Sequence, residues 1–159
     1  MPRYEADPTL VSATLTILPK DDYEFKCGKP KAFEKQAKAG HQTYGFYLPL
    51  VVVNGPQNGK KTLARLYLHS EGAAMMTKRL QIAAYGLPVN EKNEKEFDAW
   101  AAGKDWSFDT SDGTMGAAWN ELLDGKHICC DLDVAMVKND KDEEVESQVW
   151  GSWRPVATA

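Results

Sequence analysis

Thr43-Tyr44-Gly45-Phe46-Tyr47-Leu48-Pro49-Leu50-Val51-Val52-Val53 and Thr62-Leu63-Ala64-Arg65-Leu66-Tyr67-Leu68 flank the six residues Asn54-Gly55-Pro56-Gln57-Asn58-Gly59. Both runs are rich in β-branched and aromatic residues, the composition of strands. The segment between them is turn chemistry, with Gly or Asn available wherever φ must be positive. A long β-hairpin over residues 43–68 follows. Pro49 has no N–H to give a ladder, so it belongs at an edge or a bulge.

Upstream, Tyr23, Phe25 and Cys27 alternate with Glu24 and Lys26, a strand with one apolar face, ended by Gly28 and Pro30. A polar connection runs on to Gly40; its middle, Ala32 to Ala39, has the length for two helical turns. Residues 9–18 are β-branched-rich and predict a further strand or extended arm, ended by Pro19. Downstream, Ser70 is placed to cap a helix in which Met76, Leu80, Ala83, Ala84 and Leu87 form one stripe. Gly86 and Pro88 close it. Glu91 to Ala102 predicts a second helix with Phe97, Trp100 and Ala101 inward. A third runs from about Asp112 to Asp124, capped by Ser111 or Thr110, with Met115, Trp119, Leu122 and Leu123 apolar. Ile128 to Val137 alternates as a long half-buried strand with Asp131 and Asp133 on its wetter side. Lys138 to Glu144 is a charged turn, and Val145 to Trp153 is the last strand.

The 159 residues are the size of one domain. The element order predicts a mainly β chain with an α insertion. It is that of a five-stranded Greek-key barrel of the oligonucleotide-binding (OB) type over residues 20–155, with helices in 70–125 between strands 3 and 4 and an N-terminal strand or arm in 1–19. An open α+β sheet with helices on one face has the same order and is the alternative. No apolar run approaches the ~18 residues of a spanning helix, and the N-terminus lacks the apolar stretch of a signal peptide. A soluble cytoplasmic protein is expected. Cys27 stands alone and Cys129-Cys130 are neighbours, which fits reduced, packed thiols rather than a disulfide framework or a zinc site.

The formal charge of −4 hides a division. Residues 1–90 hold 12 Lys+Arg against 7 Asp+Glu, and residues 91–159 hold 7 against 16. Lys26, Lys29, Lys31, Lys35 and Lys38 lie in one stretch with a single acid, Glu34. A basic stripe on an acidic protein is the footprint of a polyanion site. The lysines lead into Tyr44, Phe46 and Tyr47, and Arg65 and Tyr67 share a face of their strand. Single-stranded nucleic acid is held by cations that track phosphates and by flat rings that stack on unpaired bases. Lys26, Lys29, Lys31, Lys35 and Lys38 are therefore the phosphate candidates. Tyr44, Tyr47 and Tyr67 are the stacking candidates, with Arg65 as a further charge on the sheet. The acidic turn 140–144 opposes this reading and favours a protein–protein module as the second one.

Catalytic patterns are scarce. His41, His69 and His127 show no metal-ligand spacing, and no nucleophile elbow, phosphate loop or dinucleotide fingerprint is present. Asp131 and Asp133, at i and i+2 on one strand face, have the spacing to hold Mg²⁺ for phosphodiester cleavage, the third reading; solvation of an outer face is the commoner role. No cofactor and no resident metal are expected.

Over about residues 20–155 the chain resembles the OB-fold single-stranded-DNA-binding proteins of tailed bacteriophages. The resemblance rests on Tyr23-Glu24-Phe25-Lys26 with its lysine-rich continuation and on the hairpin ending Leu66-Tyr67-Leu68. It continues through the helix from Ala74 with its Ala-Ala-Tyr-Gly-Leu-Pro ending and through Leu122-Leu123-Asp124-Gly125-Lys126. It implies a non-enzymatic accessory of phage DNA replication or recombination that coats transient single strands in the infected host's cytoplasm, with replication proteins or further copies of itself as partners. DNA and RNA both remain open, because 2′-hydroxyl recognition needs placed atoms.

Overall fold

A computed structural model describes residues 17–36, 40–139 and 141–156. The fold is mainly β and antiparallel. The elements are β1 (Asp21–Cys27), β2 (Lys31–Gln36), β3 (Gln42–Val52), β4 (Lys61–Tyr67), α1 (Glu71–Tyr85), α2 (Glu91–Ala101), β5 (Phe108–Asp109), β6 (Thr114–Met115), α3 (Ala117–Leu123), β7 (His127–Lys138) and β8 (Glu144–Pro155). The predicted hairpin forms as β3 and β4, paired from Gly45↔Tyr67 to Val51↔Lys61. The other edge of β3 is shared. Its first half pairs β2 and its last residues pair β1, so β1 and β2 act as one long strand broken at residues 28–30. β1 continues the sheet to β7, and β7 to β8.

The expected closed barrel is not formed. Among the described residues β4 pairs only β3 and β8 pairs only β7, so the sheet stays open along those two edges. The predicted helical turns in 32–39 are also absent: residues 31–36 are strand β2, and 37–39 lie outside the described residues. An N-terminal strand in 9–16 lies outside them too, and Ile17 to Pro19 is not strand.

Period-2 alternation builds the core. Phe25 on β1, Phe46, Leu48, Leu50 and Val52 on β3, Ala64 and Leu66 on β4, and Ile128, Cys130 and Leu132 on β7 turn to one side and are buried. α1 closes that side with Leu80, Ile82, Ala83 and Ala84. Ser70 caps it, accepting from Ala73 N, and Gly86 ends it at φ 106°, a left-handed turn that suits glycine. Met76, predicted to lie in the buried stripe, is 50% exposed; Thr77 takes the inward position and donates to Tyr67 O.

The insertion is fastened by aromatic rings. Trp119 is buried 4.9 Å from Phe46, and Trp106 and Trp100 extend the cluster outward to Phe97 and Tyr85. Trp119 Nε1 donates to Trp106 O, and Trp106 Nε1 to Ala101 O. α3 starts at Ala117 instead of about Asp112, because Asp109 and Asp112 accept from Ser111 N and Thr114 N and build the β5–β6 turn. No helix among the described residues is long and apolar enough to cross a membrane.

Candidate functional site

The positions of β3 that alternate with its core face are Thr43, Gly45, Tyr47, Pro49 and Val51. In an antiparallel ladder directly paired residues point to the same side. The registers therefore lay out the outer face of β2–β3–β4 row by row. Lys35 lies beside Thr43. Phe33, Gly45 and Tyr67 form the next row, and Lys31, Tyr47 and Arg65 the row after it. Pro49 and Leu63 follow, and Lys26, Val51 and Lys61 end the series. Five of these side chains are cations and none is an acid.

Three rings form the centre. Phe33 stacks on Tyr47 at 4.4 Å between centroids and meets Tyr67 edge-on at 5.5 Å. Gly45 lets the β4 backbone approach in this row, since a Cβ there would stand 1.9 Å from Leu66 O. The Arg65 guanidinium carbon lies 6.0 Å from the Tyr47 ring centre. Phe33 is buried under its neighbours, while Tyr47 and Tyr67 are half-exposed. The ring faces are thus held by one another and not by mobile loops.

Beside this face runs a cleft of about 680 Å³. Its walls are the open edge of β4 with Lys35, Leu63, Arg65 and Tyr67, and the β7–β8 hairpin with Val137, Lys138, Val145 and Trp150. One acid, Glu146, also lines it.

Of the predicted residues, Lys26, Lys31, Lys35, Tyr47, Arg65 and Tyr67 come together on this face. Two do not join them, Lys29 and Tyr44, and Lys38 lies outside the described residues. Lys29 is exposed in the connection between β1 and β2. Tyr44 has the opposite parity; its ring packs against Phe108 at 5.8 Å and His69 at 6.2 Å. The lysines are also not the loop the sequence predicted, since Lys31 and Lys35 are strand residues. Phe33 and Lys61 were missed. Their signal is parity alone: Phe33 shares the parity of Lys31 and Lys35, and Lys61 that of Arg65 and Tyr67.

The carboxylates proposed for metal have other work. Asp131 sits at the bulge between Cys130 and Leu132, and its Oδ1 accepts from Ser152 N at 2.7 Å. Gly151 leaves room for it, as a Cβ there would meet the carboxylate at 2.2 Å. Asp133 accepts from Val134 N and lies 3.9 Å from Lys20 Nζ. Among the described residues no three His, Cys, Asp or Glu side chains gather to hold a metal ion. Although distant in sequence, His41 and His69 have ring centres 6.2 Å apart, and His69 Nδ1 is buried without a hydrogen-bond partner.

All three thiols are free. Burial, with Asp124 nearby, pushes Cys27 up to about 12, and burial pushes Cys130 up to about 12. They are packing residues. No protein-family model matches the chain, and no curated protein matches it.

Proposed function

We propose that this protein binds single-stranded nucleic acid, DNA in the first place, without reading its sequence and without cutting it. The observation that carries this is the outer face of β2–β3–β4, where Lys31, Lys35 and Arg65 border the Phe33–Tyr47–Tyr67 cluster and Lys61 and, on β1, Lys26 continue the cations along β3; Glu24, next on that face of β1, is engaged by His127. Half-exposed phenol rings offer π-faces that any base can use, and the cations neutralise the backbone. The open cleft beside β4 gives an unpaired strand a path along this face. The resemblance to phage OB-fold proteins extends the proposal to replication or recombination of phage DNA.

Titration of oligo-dT against intrinsic Trp and Tyr fluorescence tests it. With five phosphate contacts, log K should fall with log[salt] at a slope of about −3.5, from roughly −0.7 per contact on single strands. Tyr47→Ala and Tyr67→Ala should each weaken binding by about 1–3 kcal/mol, the stake of one stacked base. An oligo-U titration in parallel reads the preference between DNA and RNA. Binding indifferent to salt, or unchanged in the double tyrosine variant, would overturn the proposal.

A further inference from the structure

Beyond Leu132, β7 pairs with β8 alone among the described residues. A two-stranded arm, residues 133–139 and 141–149, therefore continues past the sheet, tied at its base to Leu18 by Gln148. An isolated two-stranded ribbon is marginal in water, and charges on its strands are the usual protection. Beside its charges this arm carries Met136, Val137, Val145 and Val149, 37–58% exposed. Val137 and Val145, a cross-strand pair, line the cleft described above. Met136 alternates with Val137 and does not line that cleft.

The remaining large apolar side chains that are exposed, apart from Ile17 and Met75, are Met76 and Val89, and these two meet at a second cleft. This cleft, about 650 Å³, lies between α1 and the end of β8 and is lined by Met76, Arg79, Pro88, Val89, Trp153 and Arg154 among others. Its charged lining residues are Arg79 and Arg154, and Arg154 is ion-paired with Asp22 of its own chain. The arm is acidic on balance, with Glu144 and Glu146 on its β8 strand and Asp142 and Glu143 at its turn against Lys138 and Lys141. One surface is an apolar ribbon with an excess of acids. The other is an apolar groove with Arg79 at its edge.

We infer that the occupant of the groove is the β7–β8 arm of a second copy of this chain, with Met136 against Met76 and Val89 and the arm's carboxylates on Arg79. The two surfaces differ, so the contact is head-to-tail and leaves an unused arm at one end and an unused groove at the other. Such contacts propagate into open chains unless the rotation closes a ring. Nothing in this contact requires nucleic acid, so it stands apart from the proposed function.

Sedimentation of the intact protein over a rising concentration series, without nucleic acid, tests it. The average mass should climb past that of a dimer. Met136→Lys damages the arm and Met76→Glu damages the groove; each alone should lower association roughly 30-fold, the loss typical of a central interface contact. Both positions are exposed, so melting temperatures should match the parent, which separates lost contact from lost fold. Mixing the two variants should restore association but stop it at dimers, because each pair retains one intact arm and one intact groove. A parent that stays monomeric, a parent that stops at a dimer, or a mixture no better than its components would each overturn the inference.

Discussion

Strand β3 has two faces built from alternating residues of one run. The even face, with Phe46, Leu48, Leu50 and Val52, is closed to water by α1 and α3, and its residues are at most 1% exposed. The odd face, Thr43, Gly45, Tyr47, Pro49 and Val51, is covered by no helix among the described residues and borders cations on both neighbouring strands. A shift of one residue separates a side chain that holds the fold from one available to a ligand. The comparison makes a strong claim: substitutions on the even face should act on stability, and those on the odd face on binding.

The largest expected effect lies on the even face. Phe46→Ala removes a ring with no exposure that packs 4.9 Å from Trp119. It should lower stability by about 3–5 kcal/mol, as cavities of this kind do. Urea unfolding followed by Trp fluorescence measures it. Variant protein that remains folded should bind oligo-dT as the parent does, and a specific loss of binding would break the division between the faces.

Gly45→Ala sharpens the comparison, because Gly45 is the odd-face residue that the fold needs. The added Cβ meets the Leu66 carbonyl oxygen at 1.9 Å, a backbone atom that cannot swing aside. The β3–β4 ladder would have to part beneath the Phe33–Tyr67 contact. A loss of about 1–3 kcal/mol or more is expected from such overpacking, together with weaker oligonucleotide binding. Thermal denaturation and the oligo-dT titration should report both losses in the one variant.

Much of this arrangement was legible in the sequence. The β3–β4 hairpin, the capped helix from Ser70 and the closing β7–β8 pair all followed from alternation and from Gly, Pro and Ser punctuation. β2 was not legible, because Lys31-Ala32-Phe33-Glu34-Lys35 buries Ala32 on one face and Phe33 on the other, which erases any period. α3 was extended too far because Asp, Ser and Thr serve equally as helix caps and as side-chain turns; here Asp109 and Asp112 close turns. Barrel closure depends on whether two distant edges meet, and neither edge carries a local signal for that. Among the site residues, Arg65 and Tyr67 share a strand face as expected, while Tyr44 was grouped with Tyr47 by proximity in sequence despite its opposite parity.

The buried side of the molecule also has a pH signature. Cys27 and Cys130 are both held as thiols, their folded values raised from the ordinary 9.0 to about 12 by burial. In the unfolded chain they ionise near 9, so between pH 9 and about 12 the unfolded state sheds protons that the folded state keeps. Stability is unaffected below pH 9 and falls as pH rises through that window. Urea midpoints taken from pH 8 upward should decline, and less steeply in Cys27→Ala once the offset at pH 8 is subtracted. A slope unchanged by that substitution would show that the thiol is not held from water.

The smallest effects belong to the far end of the odd face. Lys26 and Lys61 flank Val51, two rows from the Tyr47 ring, and touch no part of the core. Lys26→Gln and Lys61→Gln should each stay within about 0.5 kcal/mol of the parent in stability, as surface changes do. Each should flatten the salt dependence of oligo-dT binding by about 0.7 in slope, one phosphate contact apiece. Neither should alter the fluorescence change on saturation, since no ring is removed. If the slope drops only for the cations nearest the rings, Lys31 and Arg65, the strand crosses the face at the tyrosines and leaves before reaching Val51. If all five contribute equally, it runs the length of β3 from Thr43 to Val51.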